Sequence, residues 1–152
     1  MSKIVIKWKP GITKIKNMVL GDIEALDEKG FYLLLGGLPY ASKMTYERIE
    51  PIFVGTSFNQ TIRDALLGYP DKNQSIKKFL DAHYKMDLLF VCGIPEQSLF
   101  EDISPDIIQK VKQKLVEQIR PACNELPSEA GTEIEIEHGG MFNPITNKTE
   151  RV

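Results

Sequence analysis

Histidine and tryptophan are scarce in this chain, at two and one among 152 residues. Cysteine is as scarce, with only Cys92 and Cys123. Two thiols so far apart cannot make a zinc site of the CxxC type. With no export signal they read as reduced thiols of a cytoplasmic protein. The opening residues carry Lys3, Lys7 and Lys9 around a short apolar stretch, too charged and too brief for a signal peptide. No uninterrupted apolar run reaches the ~18 residues of a membrane span, so no membrane partner is expected. Internal repeats and low-complexity segments are absent. Charge of one sign is lacking as well: 19 basic against 21 acidic residues leave a net −2, with no general attraction to nucleic acid. The charge is uneven, however. Residues 1–21 hold five lysines and no acid, while residues 125–152 hold six glutamates against Lys148 and Arg151.

What is present is ordinary for one globular domain spanning 1–152: 42% apolar and 26% charged residues. Lys3-Ile4-Val5-Ile6-Lys7-Trp8-Lys9 reads as a strand, stopped by Pro10-Gly11. Residues 17–26 have helical spacing, weakened by Gly21. Phe31-Tyr32-Leu33-Leu34-Leu35 is a continuous apolar run between glycines, as in a strand buried on both faces, and Gly36-Gly37 should break it. Residues 40–50 are polar, an exposed loop or ribbon. Residues 51–55 and 87–92 are two more short buried strands. Helices are predicted over 60–67, capped by Asn59; over 75–85, capped by Asn73 or Ser75; and from Ser104-Pro105 to Pro121. Residues 132–137 alternate strictly, as a strand with one wet face, and His138-Gly139-Gly140 should turn away before a loose tail over 143–152. The expected class is α/β (α+β): a small mixed or antiparallel sheet with flanking helices.

Four features then fall in a suggestive order. Gly30-Phe31-Tyr32 lies on one strand and Phe53-Val54-Gly55 on the next. Arg63 follows Gly55 by eight residues on a helix, and Pro121-Ala122-Cys123-Asn124 closes the long helix. This order resembles the GIY-YIG nuclease superfamily. The resemblance implies a ββαβα core over 30–124, a strand and helix extension over 1–29, and a strand plus tail over 125–152. It implies a DNA endonuclease using Mg2+ or Mn2+ if active, with no cofactor otherwise. Tyr32 and Arg63 would be catalytic, and Gly30, Phe53, Gly55, Thr56 and Asn124 would bind substrate.

The chemistry asks for these groups. Phosphodiester hydrolysis needs a proton taken from water, which a tyrosine hydroxyl can relay. An arginine fork matches phosphate oxygens, a carboxylate-held metal polarises the phosphoryl group, and a glycine lets backbone approach closely. Several positions depart from the family pattern: Phe31 replaces an aliphatic residue, Thr56 a common lysine and Leu67 a common His or Tyr, and two further departures bear on the chemistry. Phe53 stands where a second tyrosine would act as base, and phenylalanine accepts no proton. Lys112 stands where the metal-binding glutamate is expected, twelve residues before Asn124. Glu117 is the remaining carboxylate for a metal, although it points about 140° away at ~100° per helical residue. The departures leave three readings open: a divergent nuclease or DNA-binding relative, a non-catalytic module with a protein partner, and an unrelated small α/β protein whose triplets match by chance. Each residue also has a plainer reading. Tyr32 can be a core residue with a satisfied hydroxyl, Arg63 a surface residue and Asn124 a helix C-terminal residue. His83 reads as packing on an apolar helix face, Cys92 as an inert core thiol, and His138 has no evident partner.

Overall fold

The computed structural model describes residues 2–17, 23–39, 46–83, 85–96, 104–125 and 134–145. Five strands form one mixed sheet: β1 (Ser2–Lys14), β2 (Gly30–Pro39), β3 (Tyr46–Ser57), β4 (Asp87–Pro95) and β5 (Ile134–Gly140). Their spatial order is β3-β2-β4-β1-β5. Every pairing is antiparallel except β1 with β5, which is parallel. Among the described residues three helices cover the sheet: α1 (Ile62–Leu66), α2 (Gln74–Ala82) and α3 (Pro105–Ile119). The three apolar runs at 31–35, 51–55 and 87–92 are therefore neighbours in one sheet. β1 lies inside the sheet between β4 and β5.

Alternation along the strands sorts the core into two layers. Ile4, Ile6, Trp8, Phe31, Leu33, Leu35, Leu89 and Val91 meet α3 through Val111, Leu115, Val116 and Ile119 on one face. Tyr32, Leu34, Phe90, Cys92 and Ile94 meet α1 and α2 through Ile62, Leu66 and Ile76 on the other. A strand buried on both sides has no polar face to show, which is why β2 and β4 appear in the sequence as unbroken apolar runs. No helix among the described residues is long and apolar enough to cross a membrane.

Several local expectations are corrected. Pro10-Gly11 does not stop β1; it falls inside a register irregularity between Lys9 and Thr13, where a residue without a donor N–H is tolerated. Gly36-Gly37 does not break β2. A Cβ on Gly37 would lie 2.6 Å from Leu89 Cδ1 and from the Tyr46 ring, so the missing side chain is what admits its neighbours. The cap of α1 is Thr61, whose side chain accepts from the Asp64 N–H, rather than Asn59. Asn73 caps α2 through the Ile76 N–H, and Ser104 caps α3 through that of Ile107. His83 ends α2 exposed to solvent and stacks on Phe79 at 4.2 Å, instead of packing inward. His138-Gly139-Gly140 continues β5, paired with Ile6, Lys7 and Trp8. Of the helix expected over 17–26, residues 18–22 lie outside the described residues, and 3-10 turns at Ile15–Asn17 and Glu24–Asp27 stand at its two ends. Residues 40–45, 132–133 and 146–152, on which other expectations fell, also lie outside them.

Candidate functional site

The cross-strand register builds a row across the face that carries α1 and α2. Gly55 of β3 pairs with Tyr32 of β2, Tyr32 with Cys92 of β4, and Cys92 with Lys9 of β1. Tyr32 is buried at 5% exposure, and its ring lies across the backbone of Gly55. A Cβ on Gly55 would fall inside that ring, so glycine is required here by close approach rather than by a turn. A β-bulge between Leu34 and Leu35 turns both Ile52 and Phe53 toward this face. Phe53 then completes an aromatic trio with Tyr32 and Tyr69, with centroids 6.1 to 6.3 Å apart.

The polar ends of the trio answer one another. The Tyr32 and Tyr69 hydroxyls lie 2.8 Å apart. Burial raises the Tyr32 phenol far above its ordinary range, and the Tyr69 contact adds to the effect. Burial also raises Tyr69, although its bond to Tyr32 offsets part of that. Both phenols therefore hold their protons at neutral pH and above. Lys72 stands over the Tyr69 ring, 4.3 Å from its centroid, and donates to the Ala65 carbonyl at the end of α1. Burial lowers its ammonium below the ordinary lysine value.

Arg63 begins on the same side of the sheet, in α1. Its Nε donates to Asp27 Oδ1 at 3.0 Å, and an NH2 group reaches the Ile23 carbonyl at 3.5 Å. The guanidinium thus ties α1 to the 3-10 turn before β2. Asn124 has a third kind of engagement. Its Oδ1 accepts from the Val54 N–H at 2.7 Å and its Nδ2 donates to the Val54 carbonyl at 3.1 Å. Ala122 and Cys123 donate to the Pro51 and Ile52 carbonyls. Residues 122–124 therefore pair with the outer edge of β3, and the Asn124 amide replaces a strand partner for Val54.

The remaining sequence candidates lie elsewhere. Gly30 opens β2, where a Cβ would sit 2.6 Å from the Gly93 carbonyl; its lack of a side chain serves the approach of β2 and β4. Thr56 pairs with Phe31 and shares its face, the one opposite Tyr32. Glu117 and Lys112 belong to α3, which also packs on that opposite face. One carboxylate oxygen of Glu117 is buried without a hydrogen-bond partner among the described residues. The structure brings together Tyr32, Phe53 and Gly55, with Arg63 on the same face, and leaves Thr56 and Glu117 in the other layer. Of the carboxylates on the Tyr32 side, Asp27 is held by Arg63, and Glu28 by Lys9 at 3.6 Å. Among the described residues no three His, Cys, Asp or Glu side chains are grouped to hold a metal ion.

Beside the Arg63–Asp27 pair opens a cleft of about 540 Å³. Lys7 and Lys9 of β1 form one wall, Asp27, Glu28 and Lys29 another, and Ile94 and Pro95 at the end of β4, with Glu96 just after it, the third. Once the two ion pairs are formed, Lys7, Lys29 and Glu96 make no ion pair with a described residue. Sequence reasoning missed Tyr69 and Asp27, which reach their partners across 37 and 36 positions. Cys92 lies at the centre of the row, fully buried, and burial pushes its thiol up to about 12. Comparison with protein-family models, curated proteins and solved structures gives no match to this chain.

Proposed function

We propose that the chain is a non-catalytic interaction module, and that the charged cleft is the surface it offers to a partner protein. The Tyr32–Tyr69 hydroxyl bond carries this reading. A buried phenol hydrogen-bonded to a second phenol, with both held protonated, is poorly suited to take a proton from water. Arg63 and Asn124 support it, since Arg63 gives its Nε and one amino group to Asp27 and the Ile23 carbonyl, and Asn124 gives its amide to Val54. In the cleft, Lys7 and Lys29 would receive a carboxylate-bearing segment, with Ile94 and Pro95 as an apolar floor and Glu96 accepting from it.

Titration of the isotope-labelled chain with a glutamate-rich peptide tests this by NMR. The expected result is shifts at Lys7, Lys29, Ile94 and Glu96 that weaken with salt and vanish in Lys7→Glu/Lys29→Glu. Shifts that miss the cleft, or that survive the double charge reversal, would contradict it.

A second reading, a DNA-binding relative of the nucleases, is favoured by one arrangement: Tyr32, Gly55 and Arg63 on the same face. A salt series with duplex, branched and single-stranded DNA separates the two. Binding by few phosphates would give a slope on the order of −0.9 per phosphate on duplex DNA and would weaken in Arg63→Ala.

A further inference from the structure

The other histidine sits in a hydrogen-bonded chain that the function above does not use. Trp8 is fully buried in β1, and its indole Nε1 lies 2.9 Å from His138 Nδ1 in β5. The other ring nitrogen, Nε2, lies 3.1 Å from Gln118 Oε1 near the end of α3. The Trp8 and His138 rings are also stacked, with centroids 6.1 Å apart. An indole nitrogen only donates, so His138 Nδ1 must accept. Nε2 therefore carries the proton of the neutral ring and donates it to the Gln118 carbonyl oxygen. One imidazole thus joins β1, β5 and α3, and only one of its tautomers satisfies both contacts.

We propose that the Trp8–His138–Gln118 chain is an acid-sensitive latch, which fastens β5 and α3 to β1 only while His138 is neutral. A proton on Nδ1 would set one N–H against another, so the charged ring must break the Trp8 contact or leave its site. The charged surroundings do not offset this. On β1, Lys7 and Lys9 project from the opposite face of the sheet, as Glu137 does on β5, where it pairs with Lys3 at 3.0 Å. Around Gln118 the nearest charged positions in sequence are Glu117, adjacent to it, the exposed Arg120 that caps the C-terminus of α3 two positions later, and Lys114, one turn earlier. The segment after β5, Met141, Phe142 and Asn143, is uncharged. Burial alone moves the imidazole below its ordinary value of 6.5. In the unfolded chain His138 takes up its proton as pH falls through about 6.5, while in the folded chain it resists until lower pH. The latch is therefore intact above that value, and its contribution is lost progressively below it.

The test is an NMR pH titration of histidine-labelled protein. The wild type should show His138 as the Nε2–H tautomer, titrating below the ordinary histidine value of 6.5, with the Trp8 indole N–H resonance shifting in the same transition. Two variants separate the latch from burial. Trp8→Phe removes the donor that blocks Nδ1, so the His138 midpoint should rise. Gln118→Ala removes an acceptor that the charged ring would use, so the midpoint should fall or stay. If Trp8→Phe does not fold, the wild-type tautomer and the indole response decide the matter. An Nδ1–H tautomer, an indole signal unmoved through the His138 titration, or a rise in both variants would overturn the proposal.

Discussion

The Tyr32 and Tyr69 hydroxyls meet at 2.8 Å and join β2 to the turn that follows α1. The bond closes the aromatic trio with Phe53 and keeps a buried hydroxyl satisfied, which is what a fold requires of a tyrosine at 5% exposure. If this is the role of Tyr32, its loss is a matter of stability. Tyr32→Phe should lower the unfolding free energy by about 1 kcal/mol, and Tyr69→Phe by a similar amount. The double variant should lose less than the sum, because either single change already removes the bond. Denaturant unfolding of the four proteins measures this coupling, and strict additivity would mean the two hydroxyls do not interact.

Gly55→Ala should be costly for a steric reason. The added methyl falls inside the Tyr32 ring, and both strands are paired on either side of the contact. Overpacking of this kind costs about 1–3 kcal/mol. A midpoint shift of that size in urea is expected, and an unchanged midpoint would show that the Tyr32 ring does not lie over Gly55.

Asn124→Ala strips the Val54 N–H and carbonyl of their side-chain partners on the outer edge of β3. The expected loss is about 1–3 kcal/mol, together with faster hydrogen exchange at the Val54 amide. Asn124→Asp keeps the acceptor but sets a carboxylate oxygen against the Val54 carbonyl, so it should also fall below the wild type. Unaltered Val54 exchange in both variants would remove Asn124 from this role.

The strands at 31–35 and 87–92 were legible because burial on both faces leaves a near-continuous apolar run, and 51–55 because Ile52 and Val54 reach the two core layers from the edge strand. Their continuation was not. Gly36-Gly37 and His138-Gly139-Gly140 carry the local chemistry of turns, yet both stay extended because neighbouring strands supply ladder partners that no local rule registers. The adjacency of Tyr32 and Gly55 could be anticipated from the two glycine-bearing triplets. Their partners could not. Tyr69 stands in a Gly-Tyr-Pro turn and Asp27 in an acidic turn, and nothing in either segment points to a hydroxyl or a guanidinium more than thirty positions away. Glu117 and Thr56 were placed with Tyr32 by pattern alone, whereas strand parity and the docking of α3 put both in the other layer. His138 lacked a partner in the sequence for the same reason: Trp8 lies 130 positions before it and meets it only through the β1–β5 pairing.

We propose that Tyr32 and Arg63 serve the fold and that the chain does not cut DNA. The most direct measurement is plasmid cleavage by the purified wild type, Tyr32→Phe and Arg63→Ala in Mg2+ and in Mn2+, with the unfolding midpoint of each protein recorded beside it. Cleavage at background is expected for all three, with midpoints lowered in the variants. Wild-type cleavage at ordinary turnover that disappears in Arg63→Ala while its midpoint is unchanged would contradict it.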